Sequence, residues 1–137
     1  MTVGLLLITH NRVGEELLAT AHSTLGVQPL PARCLAIPQD VDLDRLTAEA
    51  KRLFIELDQG DGVLVLTDAY GSTPSNIATQ LAQRHNAAVV AGVNLPMLLR
   101  VLNYPHLSLR ELEDKALSGG QDGVLLVRDQ DHPVDEE

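Results

Sequence analysis

The chain has 137 residues, 45% hydrophobic but only 2% aromatic, so one domain with an aliphatic core of Leu, Val, Ile and Ala is expected. A formal net charge of −9 argues against nucleic acid as a partner, which needs clustered Lys and Arg, but leaves a basic protein surface as an acceptable one. The single Cys34 excludes an internal disulfide and any CxxC site, no apolar run approaches a membrane span, and the N-terminus lacks a signal-peptide pattern, so a cytoplasmic protein is the expectation.

Val3 to Ile8 is a continuous apolar run, as expected of a strand buried on both faces. Val13 to Leu25 has helical spacing, with Val13, Leu17, Leu18, Ala21 and Leu25 on one face and Gly26 as the stop. Cys34 to Ile37 is a short second strand, with Cys34 as a buried small hydrophobe. Asp42 is placed to cap a helix carrying Leu43, Leu46, Ala50, Leu53, Phe54 and Leu57. The cluster Asp58 to Gly62 breaks the chain before a third strand, Val63 to Leu66. Ser72, Thr73 and Pro74 then open another helix. Ala87 to Val93 reads as a fourth strand, and Asn94-Leu95-Pro96 opens a helix through about Asn103. Ser108 and Glu111 form a capping box for a last helix to Leu117, which Gly119-Gly120 is expected to end, and Gly123 to Val127 reads as a fifth strand. Alternating strands and helices predict a single doubly wound, mostly parallel α/β sheet over residues 1–128, with an acidic tail at 129–137.

Polar residues gather at three predicted strand ends: Thr9-His10-Asn11-Arg12, Asp68 to Thr73, and Asn94. The first and third strands of such a sheet are commonly neighbours at the switch point, which would bring His10 to Asp68. A carboxylate on one imidazole nitrogen fixes the tautomer and leaves the other nitrogen free to attack a phosphoryl group. Backbone N–H groups near Ser72 and Thr73, at a helix start, can hold phosphoryl oxygens, with their hydroxyls adding hydrogen bonds. Each piece has a plainer role as well. His10 can be a structural strand-end histidine, Asp68 a turn residue, Ser72-Thr73-Pro74 only a helix start, Asn94 only a cap, and Arg12 a solvated cation. The remaining histidines have no metal-ligand spacing, no metal or other cofactor is read, and neither GxxxxGK[ST] nor GxGxxG occurs.

Three blocks carry a family resemblance: Leu7-Ile8-Thr9-His10, then Thr67-Asp68-Ala69-Tyr70-Gly71-Ser72-Thr73-Pro74-Ser75-Asn76, then Gly92-Val93-Asn94-Leu95-Pro96-Met97-Leu98. From about Thr2 to Val127 the chain resembles the IIA domain of the mannose/fructose/sorbose class of the bacterial sugar phosphotransferase system (PTS). The resemblance implies a phosphotransferase component whose His10 accepts a phosphoryl group from the histidine phosphocarrier HPr. Asp68 then orients His10, and Gly71, Ser72 and Thr73 contact the phosphoryl group, with Thr9, Asn11 and Asn94 in support. It also implies a separate IIB protein as acceptor and membrane association only indirectly, through a IIC/IID transporter. A homodimer follows too, its C-terminal edge strand, here Gly123 to Val127, exchanged or paired across the interface. The alternative is a stand-alone regulator that binds a target according to the phosphorylation state of His10, without sugar transport. The chain departs from the usual pattern at Asn11, where the family has Gly, and at Ser72, which replaces the second Gly of a Gly-Gly turn. Asn is the residue that best keeps a left-handed turn there in place of Gly.

Overall fold

The computed structural model describes residues 2–128; the acidic tail at 129–137 lies outside the described residues. Four parallel strands, β1 (Gly4–His10), β2 (Ala32–Ile37), β3 (Val63–Thr67) and β4 (Ala87–Ala91), lie in the order β2-β1-β3-β4. Five helices cover them: α1 (Val13–Leu25), α2 (Leu43–Leu57), α3 (Thr73–Arg84), α4 (Leu95–Leu102) and α5 (Leu109–Asp122). This is the expected doubly wound α/β layering.

Side chains alternate across a strand, so the two central strands feed two separate cores. Leu5 and Leu7 of β1 join Leu64 and Leu66 of β3 under α1, α4 and α5, through Leu18, Ala21, Leu98, Val101, Leu112 and Ala116. Leu6 and Ile8 join Val63 and Val65 under α2 and α3, through Leu53, Phe54, Leu57, Ile77 and Leu81. A strand packed on both faces has no polar side, which is why β1 and β3 are continuous apolar runs. The chain moves from β1 to β2 on one side and later to β3 and β4 on the other. The crevice at the carboxyl ends of β1 and β3 is therefore the switch point.

Local signals set the helix limits. Asp42 Oδ1 accepts from the Arg45 N–H at 3.2 Å and starts α2. Ser108 and Glu111 complete a reciprocal capping box for α5, and those hydrogen bonds hold the Glu111 carboxyl below its ordinary range. Gly26 ends α1 with φ 78°.

Two expectations at the C-terminal end need correction. Gly119-Gly120 does not end the last helix; α5 runs on to Asp122. The glycines serve close packing instead. A Cβ at Gly119 would lie 2.5 Å from Arg100 Cβ, and one at Gly120 would lie 2.8 Å from Met97 Cε. Glycine's helix penalty of about 1 kcal/mol is accepted at Gly119 because a side chain there would meet the root of Arg100 on α4. The predicted fifth strand, Gly123 to Val127, is likewise no strand. Val124, Leu125, Leu126 and Val127 are 67–77% exposed and pair with no strand among the described residues. An apolar run becomes a strand only where a ladder receives it. Strand ends shift as well. β2 begins at Ala32, and β4 stops at Ala91, where Gly92 takes φ 92° and the Gly92 and Val93 N–H groups both turn to the Thr67 carbonyl.

Gly119→Ala should destabilise the fold by about 1–3 kcal/mol through overpacking against Arg100, read as a lower urea midpoint. An unchanged midpoint would mean that α4 and α5 part freely at that point.

Candidate active site

The end of β1 is fastened on both sides before His10 is presented. Thr9 is buried, and its Oγ1 accepts from the Gly14 N–H at 2.8 Å, tying the strand end to the start of α1. Asn11 takes φ 46°, the left-handed turn expected of it, and donates its N–H to the Ile37 carbonyl of β2 at 3.0 Å. His10 then projects from the sheet edge with its side chain 48% exposed.

Asp68, one residue past β3, meets it there. A single carboxylate oxygen, Oδ2, accepts from the His10 backbone N–H at 3.1 Å and faces His10 Nδ1 at 2.9 Å. An ionised carboxylate only accepts, so against it a neutral His10 ring carries its proton on Nδ1 and keeps the Nε2 lone pair. Ring and main chain are fixed by the same atom. Asp68 is 17% exposed, its Oδ1 is buried with no partner, and the buried Thr67 Oγ1 beside it in sequence has none either.

The start of α3 supplies donors. Gly71 takes φ 82° and lets the chain turn after Tyr70. Ser72, the N-cap residue, sends its hydroxyl back to the Ala69 carbonyl at 2.5 Å, so no side chain caps α3. Pro74 occupies the first turn, where its missing N–H costs nothing, and the uncapped N–H groups around it are left for an anion. Thr73 lines the same open concavity as His10, about 230 Å³ in volume, with Asn11, Ile37, Pro38, Gln39 and Val41. The β2–α2 residues in that lining carried no motif, and only the position of β2 beside β1 could have placed them there. Thr73 also lines a larger groove of about 870 Å³ between α2 and α3, with Lys51 and Arg84 along it.

The remaining polar residues near the strand ends make structural bonds. Asn94 caps α4 by accepting from the Met97 N–H at 2.9 Å and donates to the Gly120 carbonyl at 3.1 Å, which ties α4 to α5. No hydrogen bond joins it to His10 or Asp68 among the described residues. Arg12 is paired with Glu15 at 3.3 Å and Glu16 at 3.5 Å on the first turns of α1. Burial, with Glu15 adding to it, pushes the Cys34 thiol up to about 11, so it stays protonated and unreactive near neutrality. No group of three His, Cys, Asp or Glu among the described residues is placed to hold a metal ion.

The model of the PTS system fructose IIA component family matches residues 4–116. The chain belongs to that family. It is 32% identical over 131 residues to the PTS system mannose-specific EIIAB component of Escherichia coli (strain K12), covering 93% of this chain and 40% of the relative. Thus the chain spans less than half the length of that relative. A 52-residue stretch is 46% identical to the PTS system fructose-specific EIIA component of Bacillus subtilis (strain 168), covering 36% of each chain. Among solved structures, the mannose/sorbose specific IIA subunit of the phosphotransferase system from Enterococcus faecalis superposes with a TM-score of 0.82 at 28% identity, over 93% of this chain and 96% of that one. This chain is thus a member of the PTS IIA family of the mannose/fructose class. No helix among its described residues is long and apolar enough to cross a membrane.

Thr9→Val keeps the shape but leaves the buried Gly14 N–H without an acceptor. It should cost about 1–3 kcal/mol in denaturant unfolding. A variant as stable as the parent would show that the Thr9 bond does not hold the end of β1.

Proposed function

We propose that this PTS IIA component is a phosphocarrier that takes a phosphoryl group from phosphorylated HPr on His10 Nε2 and passes it to a IIB protein or domain. The observation that carries this reading is the 2.9 Å contact of Asp68 Oδ2 with His10 Nδ1, which leaves Nε2 as the one free ring nucleophile. In the forward step the Nε2 lone pair forms the N–P bond while the N–P bond to the donor histidine breaks, and the donor ring keeps that electron pair. His10 keeps its Nδ1 proton throughout, and the ring, made electron-poor by the phosphoryl group, rests against the Asp68 carboxylate. The N–H groups at the start of α3 face the phosphoryl oxygens, with Gly71 giving the turn its approach and Thr73 walling the concavity. Such transfer asks mainly for alignment and charge stabilisation, which this small set supplies. Onward transfer to a IIB protein separates the carrier from a purely regulatory protein that holds its phosphate for a target.

The protein is incubated with phosphoenolpyruvate, enzyme I and HPr and followed by intact mass. Wild type should gain one acid-labile, base-stable phosphate and His10→Ala none; an equally phosphorylated His10→Ala would place the acceptor elsewhere. Asp68→Asn keeps an oxygen for the His10 N–H but removes the charge. Its transfer should slow by about 10- to 100-fold, and wild-type kinetics would remove Asp68 from the mechanism.

The carrier acts as a homodimer. Support comes from the four exposed apolar residues Val124 to Val127 and from β4, whose outer edge carries no strand among the described residues. Pairing the segment of one copy with the β4 edge of another covers both liabilities. Sedimentation should give a dimer for the wild type and a monomer for Leu125→Asp/Val127→Asp; a monomeric wild type contradicts this.

A further inference from the structure

We propose that Tyr70 is the docking anchor through which the site receives a phosphoryl group carried by a protein, an assignment that rests on the phosphocarrier reading above. The chain holds three aromatic residues. Phe54 is buried against the His85 ring, and Tyr104 is covered by Lys115 Nζ at 4.4 Å from its ring centroid. Tyr70 is 91% exposed and has neither an aromatic nor a cationic partner among the described residues. A free aromatic ring in contact with water forgoes the large burial that aromatic side chains offer at interfaces.

Its position gives the exposure meaning. Tyr70 lies two residues past Asp68, in a turn held by the Asp68–His10 bonds and by Ser72 Oγ and N–H on the Ala69 carbonyl. The ring is therefore presented from a fixed backbone, which lowers the ordering cost of binding. Across the switch point, Val13 begins α1 three residues after His10 and is 42% exposed. Two apolar side chains thus stand at the edge of the sheet from which His10 projects.

The occupant is a protein and not a small phosphoryl donor. The concavity at His10 is about 230 Å³, below the roughly 300–1,000 Å³ of small-molecule sites. Tyr70 is not part of its lining, so only a body larger than the concavity reaches both His10 and the ring. Carboxylates dominate the same edge: Asp68, Glu15 and Glu16 around a neutralised Arg12, and Asp40, Asp42 and Asp44 after β2. The matching face is therefore apolar at its centre and basic around its phosphorylated residue. Anchors of this kind are most often Tyr, Trp or Arg.

Phosphorylation of His10 is measured with two donors, phosphorylated HPr and phosphoramidate, a small donor that needs no docking. With phosphorylated HPr, Tyr70→Ala should lose about tenfold or more in kcat/KM, mainly through KM, whereas Tyr70→Phe retains most of it. With phosphoramidate, both variants should react at the wild-type rate. Equal kcat/KM for wild type and Tyr70→Ala toward HPr would overturn the anchor alone, leaving the carrier intact. A loss with both donors would overturn it too, because the ring would then be shaping the loop. A wild type that phosphoramidate modifies but phosphorylated HPr does not would overturn the donor assignment and the anchor with it.

Discussion

One carboxylate oxygen organises the crevice at the switch point. Asp68 Oδ2 accepts from the backbone of His10 and from its ring, joining the ends of the two central strands through a single atom. The rest of the molecule secures that meeting. β1 and β3 lie in register from Gly4 opposite Val63 to Ile8 opposite Thr67, with apolar cores on both faces. A shift of one residue would turn each buried side chain to the other core and move Asp68 away from the imidazole. Because one bond sets the ring and the other the backbone, Nε2 has a settled direction.

The polar residues around the pair divide into those that build the site and those that leave it open. Thr9 and Asn11 spend their hydrogen bonds on the strand end, binding β1 to α1 and β2. Ser72 spends its hydroxyl on Ala69, and by not capping α3 it leaves the helix start available. An uncapped helix N-terminus is favourable to negative charge. Asn94 does the opposite, using both ends of its amide to hold α4 and α5.

Features set by neighbours in sequence were legible in the chain alone. Asp42 and the Ser108–Glu111 box show their caps within four residues, and the left-handed Asn11 is foreshadowed by its side chain. β1 and β3 were visible because burial on both faces leaves uninterrupted apolar runs, and the alternation of elements then put His10 near Asp68. The errors fall where distant packing decides. Gly119-Gly120 has the local signature of a helix stop, yet its glycines answer to Arg100 and Met97 on another helix. Val124 to Val127 has the composition of a strand, but pairing depends on an edge the sequence does not display. The direction of the Ser72 hydroxyl and the residues of the β2–α2 loop at the site depend on geometry that no spacing records.

The protonation state of the His10 ring tests the central claim most directly. Long-range proton–nitrogen correlation NMR on the unphosphorylated protein should show Nδ1 protonated and Nε2 bare, and after phosphorylation the phosphorus should couple to Nε2. A ring protonated at Nε2, or a phosphorus on Nδ1, would contradict the account, because the Asp68 carboxylate would then not be choosing the nucleophile.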